Sequence, residues 1–177
     1  MTIGRTFLTG RTFLTLLAFW GVCSVSTVSA VEGDAILGFW ITQGGDARVE
    51  VFKRGTQYFA TVVGLREPVY KPGEEKGMDG RARMDLNNRD RALRNRPLLG
   101  LEIMGGFEFR DGRWTGGRIY DPMDGKTYKC KLTLATDGTL QVRGYVGVSW
   151  LGRTSVWEPA EDYFRKVLVM MGKDAPE

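Results

Sequence analysis

The chain has 177 residues, 42% of them hydrophobic and 26% charged, with two Cys and no His. That length suits a single domain with its own core, and the composition is that of a globular protein rather than a disordered one. The missing histidine excludes Ser-His-Asp and Cys-His catalysis and any His-ligated zinc, haem or copper, and two cysteines are too few for a Cys-rich zinc or iron–sulfur centre.

In chain order, Arg5 and Arg11 are the only charges before Glu32, the run Phe13–Val22 is apolar, and small residues close the stretch at Val28-Ser29-Ala30. A basic start, a short apolar centre and small residues at −3 and −1 predict a signal peptide over residues 1–30, cleaved after Ala30. The apolar run is too short for a permanent span. The expected location is therefore periplasmic or secreted, with no stable membrane insertion after cleavage. Residues 4–9 recur as residues 10–15, a duplication inside the leader that carries no fold information. Cys23 follows Trp20-Gly21-Val22, which lacks the small residue that a lipid-attachment site needs just before the cysteine. The leader takes two of the 25 Lys and Arg and none of the 21 Asp and Glu, leaving 23 basic against 21 acidic residues. So balanced a charge gives no footprint for nucleic acid.

Residues 31–159 read as an all-β domain. Short apolar or alternating runs predict strands near 37–42, 47–54, 57–66, 98–104, 106–110, 113–120, 126–135, 139–147 and 153–158, joined mostly as hairpins. Asp111-Gly112 and Asp137-Gly138 are tight-turn dipeptides, and Asp121–Gly125 is a longer turn. Eight or nine such strands favour an antiparallel barrel or sandwich. Between Lys126 and Leu134, Tyr128, Cys130, Leu132 and Leu134 alternate with Thr127, Lys129, Lys131 and Thr133, giving one apolar and one solvated face. Cys130 lies on the apolar face and reads as a small buried hydrophobe rather than a reactive thiol.

Residues 66–96 break the rhythm with nine Lys or Arg and six Asp or Glu in thirty-one residues. A connection that long in a compact domain is a flap or binding loop, or else disordered; Arg94-Asn95-Arg96-Pro97 leading straight into the next strand favours the flap. At the other end, residues 160–177 form an amphipathic helix and tail. Tyr163, Phe164, Val167, Leu168 and Met171 share one face, with Glu161 and Asp162 in the first turn. That helix is expected to pack on the barrel, since one such helix with few basic residues is a poor membrane anchor.

The segments Gly38-Phe39-Trp40, Arg94–Leu101, Gly117–Pro122 with Gly125–Tyr128, Arg143–Gly147 and Gly152-Arg153-Thr154 before Trp157 resemble, in order, the bacterial domain-of-unknown-function family 2147. The resemblance runs from Gly38 to Trp157. It implies a secreted or periplasmic domain of lipocalin-like build, an up-and-down β-barrel, and no assigned activity. Two departures stand out. Glu158-Pro159 follows Trp157 where a basic residue is common, and Asn87-Asn88 stands where Asn-Pro is expected. Gly38-Phe39-Trp40 also resembles the Gly-x-Trp that opens calycin barrels, in which the indole closes one end and a late-strand Arg stacks on it. Trp40 is then the closure residue with Arg143 or Arg153 above it, or else simply a core tryptophan.

An eight-stranded barrel has room inside for side chains or one small ligand. Trp114, Arg118 and Tyr120 share a face at spacing two, which is either an interior with a buried cation needing an acidic partner or an exterior ladder. The first functional reading is a barrel binding a small apolar or amphipathic molecule. Trp114, Tyr120, Tyr128 and Trp150 would line it, and Arg96, Arg118 or Arg153 would meet an acidic group. The second is a cell-envelope interaction module with a filled core, docking through 66–96 and the C-terminal helix. A carboxylate hydrolase built on Asp85 and Glu102 is the third, but nothing in the sequence places those acids together. No enzyme activity, cofactor or metal is expected; Asp121 and Asp124 match no calcium loop and read as turn residues.

Overall fold

The structure, a computed structural model, describes residues 32–171. The expected leader and cleavage point, and the tail beyond Met171, lie outside the described residues. The strands are β1 (Gly38–Ile41), β2 (Ala47–Arg54), β3 (Gln57–Leu65), β4 (Glu102–Arg110), β5 (Arg113–Thr115), β6 (Arg118–Asp121), β7 (Lys126–Leu134), β8 (Leu140–Tyr145) and β9 (Arg153–Pro159), followed by helix α1 (Ala160–Met170). Each pairs antiparallel with its neighbours, and the ring closes where Trp40 meets Pro159 and Ile41 meets Glu158. β5 and β6 both lie between β4 and β7, so nine strands fill eight positions of an up-and-down barrel.

Two glycine pairs set the irregularities. The sequence predicts separate strands at 98–104 and 106–110, whereas β4 runs unbroken through Gly105-Gly106. There the register steps two residues on β3 against three on β4 (Tyr58 opposite Phe107, Ala60 opposite Met104), and Gly106 takes φ 77°. That is a β-bulge, whose left-handed residue glycine supplies without strain. Residues 98–101 form a turn instead of a strand, with the Gly100 N–H on Val62 O at 2.8 Å.

The second pair breaks the expected strand 113–120 after Thr115. A Cβ on Gly117 would lie 2.4 Å from the Phe107 ring, so the backbone reaches that close only as glycine. The break shifts the side-chain phase by one residue. Trp114 faces the core opposite Leu132, whereas Arg118 is exposed opposite Lys129 and Ile119 turns inward. Trp114, Arg118 and Tyr120 therefore do not share a face.

Inward-facing residues fill the barrel. On β7, Cys130 and Leu132 are buried while Thr127 and Lys129 are exposed, as the alternation predicts. Val49, Val51, Phe107, Leu140, Val142 and Trp157 complete most of the core. At the end carrying the Asp111-Gly112 turn, where both residues take positive φ, two indoles fasten the segment before β1. Trp40 Nε1 donates to Ile36 O at 2.9 Å and Trp114 Nε1 to Gly33 O at 3.0 Å. Trp40 is thus buried and bonded, but the cation–aromatic pairs among the described residues do not include it. Arg143 is engaged elsewhere and Arg153 is exposed. Helix α1 packs on β1 and β9, with Lys166 Nζ 2.7 Å from Glu158.

Candidate functional site: a cleft at the loop-covered end

The opposite end gathers the long loop between β3 and β4, the turn after β6 and the connection between β8 and β9. Three bridges order the long loop: Val69 with Ala82, Tyr70 with Asp79, and Met84 with Pro97. The last of these folds Arg96 back onto Asp85, helped by the Asp85 N–H on Arg96 O at 3.0 Å.

Asp85 has no exposed surface. Its Oδ2 accepts from Arg96 Nε at 2.9 Å and lies 2.8 Å from Arg96 Nη2, and also accepts from Asn88 Nδ2 at 2.7 Å. Its Oδ1 accepts from the Tyr120 hydroxyl at 2.6 Å, and Asn88 Nδ2 also reaches that hydroxyl at 2.9 Å. The Arg96 guanidinium lies over the Tyr120 ring, 5.3 Å from its centre. A buried carboxylate is tolerated only when charged and polar donors replace water in this way. Burial, and secondly donation to Asp85, push the Tyr120 phenol up. Asn88 occupies the position where proline was expected. Its N–H donates to Asp85 O at 3.0 Å, a bond proline cannot make.

The loop sits on the turn after β6. Asn87 Nδ2 donates to the carbonyls of Pro122 and Met123 at 3.2 and 3.1 Å, and a Cβ on Gly125 (φ 66°) would fall 1.9 Å from Asn87 O. Tyr128 donates to Asp124, which raises the phenol and lowers the carboxyl.

Between loop residues 88–96 and strands β6 and β7 lies a cleft of about 660 Å³, with Val146 on its far rim. Leu93, Val146 and the rings of Tyr120 and Tyr128 supply apolar surface; Arg89, Arg96 and Lys126 supply positive charge. Its two acids are engaged elsewhere. Asp90 caps the turn Arg91–Leu93 through Ala92 N at 2.9 Å, and Glu102 pairs with Arg54 at 3.0 Å. Arg96 is held by Asp85 and Lys126 lies 3.4 Å from Asp124, while Arg89 enters no ion pair among the described residues. Such a lining suits a molecule with one acidic group and an apolar body.

Of the residues expected to line one site, Arg96, Tyr120 and Tyr128 meet here. Trp114 lies at the far end of the core, Arg118 on the outer surface, and Trp150 and Arg153 in and after the exposed β8–β9 connection. The shared inner face expected of Trp114, Arg118 and Tyr120 does not form, because the phase shift at Gly116-Gly117 turns Arg118 outward. Arg89, Leu93 and Lys126 were not foreseen. The signal that was available is Asp85 three residues before Asn88 in a loop returning through Arg96. Asp85 and Glu102 take separate arginines and form no pair.

A family model described as "Uncharacterized protein conserved in bacteria (DUF2147)" matches residues 38–159. The chain belongs to this family. The DUF2147 match covers the whole barrel from β1 to the end of β9. No curated protein matches the sequence. Among solved structures, the chain is similar to protein HP1028 from Helicobacter pylori, described as belonging to the lipocalin family. The TM-score is 0.58 at 24% identity, covering 75% of this chain and 88% of that one. The likeness shows the fold: this DUF2147 member is a lipocalin-like barrel, as its sequence segments imply.

Proposed function

We propose that the protein binds a small amphipathic molecule with an acidic group, in the cleft at the loop-covered end and not in the barrel's centre. The observation that carries this reading is the cleft of about 660 Å³ in which Arg89, Arg96 and Lys126 face the apolar surfaces of Leu93, Tyr128 and Val146. Arg89 and Lys126 would meet the acidic group, Arg96 would be held in place by Asp85, and the two tyrosine rings would lie along the apolar part. The lipocalin-like fold is consistent with a binder, and the engagement of Asp85 and Glu102 by arginines favours binding over carboxylate catalysis. The leader supports a periplasmic or secreted site of action. The filled interior gives some weight to a second reading, an envelope interaction module without a small ligand.

Titration with a dansylated undecanoic acid separates the two readings. Binding in the cleft raises and blue-shifts the dansyl emission, and Arg89→Glu with Lys126→Glu weakens it by at least about tenfold, each charge-assisted contact being worth on the order of 1.5 kcal/mol. An unchanged emission, or equal binding by the double variant, would overturn the cleft as the site.

A further inference from the structure

Beside the cleft, the connection between β8 and β9 carries Val146, Val148, Trp150 and Leu151, all exposed, with Trp150 74% exposed. Met123, 80% exposed, tops the neighbouring turn. Exposed apolar side chains in a mobile loop would fold away, but this loop is held. Arg143 donates through Nε to Ser149 O at 2.7 Å, through Nη2 to Trp150 O at 3.0 Å and through Nη1 to Thr154 Oγ1 at 2.7 Å. Lys131 Nζ reaches Ser149 Oγ at 3.4 Å. Gly152 presses so closely on β8 that a Cβ there would lie 2.5 Å from Gly144 O. The backbone is clamped inward, and the apolar side chains project.

Along the outer face of β6 to β9 beside this tip the charge is positive. Arg118 lies opposite Lys129, Lys131 opposite Arg143, and Arg153 opposite Gly144, so cations run across the outer face of β6 to β9. From Lys126 to Trp157 the sequence holds one acid, Asp137, in the turn at the other end of the barrel. In the turn beneath Met123, Asp124 is taken up by Tyr128 and Lys126, and the exposed Asp121 accepts from the Met123 N–H at 2.9 Å. A rigid apolar tip flanked on one side by cations matches the boundary between acyl chains and anionic headgroups, where apolar burial and charge act together.

We propose that this end of the barrel docks reversibly on an anionic lipid bilayer, with Trp150 and Leu151 entering the headgroup region and the exposed Arg118, Lys129 and Arg153 facing the lipid phosphates. The docking surface stands independently of any ligand in the adjacent cleft, although it would set the cleft's rim against the membrane.

The test is sedimentation with phosphatidylcholine vesicles with and without phosphatidylglycerol, using protein recovered from its bacterial host and its N-terminus read by mass spectrometry. The protein should sediment with the phosphatidylglycerol vesicles and be partly released by salt, and its tryptophan emission should shift to the blue. Trp150→Ser with Leu151→Ser should weaken binding at least tenfold while leaving the thermal melt unchanged. Lys129→Glu with Arg153→Glu should weaken it on anionic vesicles and not on neutral ones. Three results would overturn the proposal: wild-type protein left in the supernatant with anionic vesicles, undiminished binding by W150S/L151S (the result a retained apolar leader would give), or a concentration-dependent blue shift without vesicles, which would mean that a second copy covers the patch.

Discussion

A carboxylate without exposed surface costs several kcal/mol unless its partners replace water, and Asp85 has Arg96, Asn88 and Tyr120 to do so. Replacing it with Ala strands a half-buried guanidinium and a phenol. Asp85→Ala should lower the unfolding free energy by about 3–5 kcal/mol in urea titrations, whereas Tyr120→Phe, which leaves Arg96 and Asn88 in place, should cost about 1 kcal/mol. Cys130 gives a prediction in pH. Burial pushes its thiol from an ordinary value of 9.0 up to about 12. The raised value stabilises the fold fully below pH 9, and that stabilisation is lost as pH rises through 9 towards 12, where the unfolded thiol ionises and the buried one does not. Urea midpoints should fall over this range, and Cys130→Ala should flatten part of the fall; an identical slope in the variant would remove Cys130 as the cause. Cys130's burial was readable in the sequence, since strict alternation from Tyr128 to Leu134 fixes the inner face. Tyr120's place beside Asp85 was not, because the two lie thirty-five residues apart and meet only through the return of the loop.

At the scale of elements, the glycine pairs decide where strands bend or break. Gly117→Ala would press a methyl into the buried Phe107 ring and should cost about 2 kcal/mol, as overpacking does in a filled core. Gly125→Ala acts on the other end, where a methyl would meet the Asn87 carbonyl. It should unseat the long loop and weaken dansyl-acid binding more than it lowers the melting temperature, a difference read by running both assays on the same variant. The Asp111-Gly112 hairpin was legible because that dipeptide names a turn with positive φ at both positions. The paired glycines were not. Gly105-Gly106 reads as a break and is a bulge, while Gly116-Gly117 reads as continuous strand and is a break. Each lies against a cross-strand ring, Phe59 against Gly105 and Phe107 against Gly117, and a single strand's sequence does not contain its neighbour.

For the whole molecule, hairpin spacing and the segments shared with DUF2147 carried the barrel, and the strand count of nine emerged although one expected break was misplaced and another missed. The site was legible only in part. Arg96, Tyr120 and Tyr128 converge because loop and hairpin meet at one end, while Trp150 and Arg153 belong to a surface no periodicity describes. Whether an eight-stranded barrel is hollow depends on how its inward side chains fill the space, and here Phe107, Trp114 and Trp157 are buried within it. Any ligand is therefore expected at the rim, and native mass spectrometry of the protein recovered gently from its host tests that placement most directly. The predicted result is an adduct of lipid-like mass that organic extraction removes and that is absent from the Arg89→Glu, Lys126→Glu variant. An adduct retained by that variant, or a bare protein mass from the wild type under the same conditions, would contradict it.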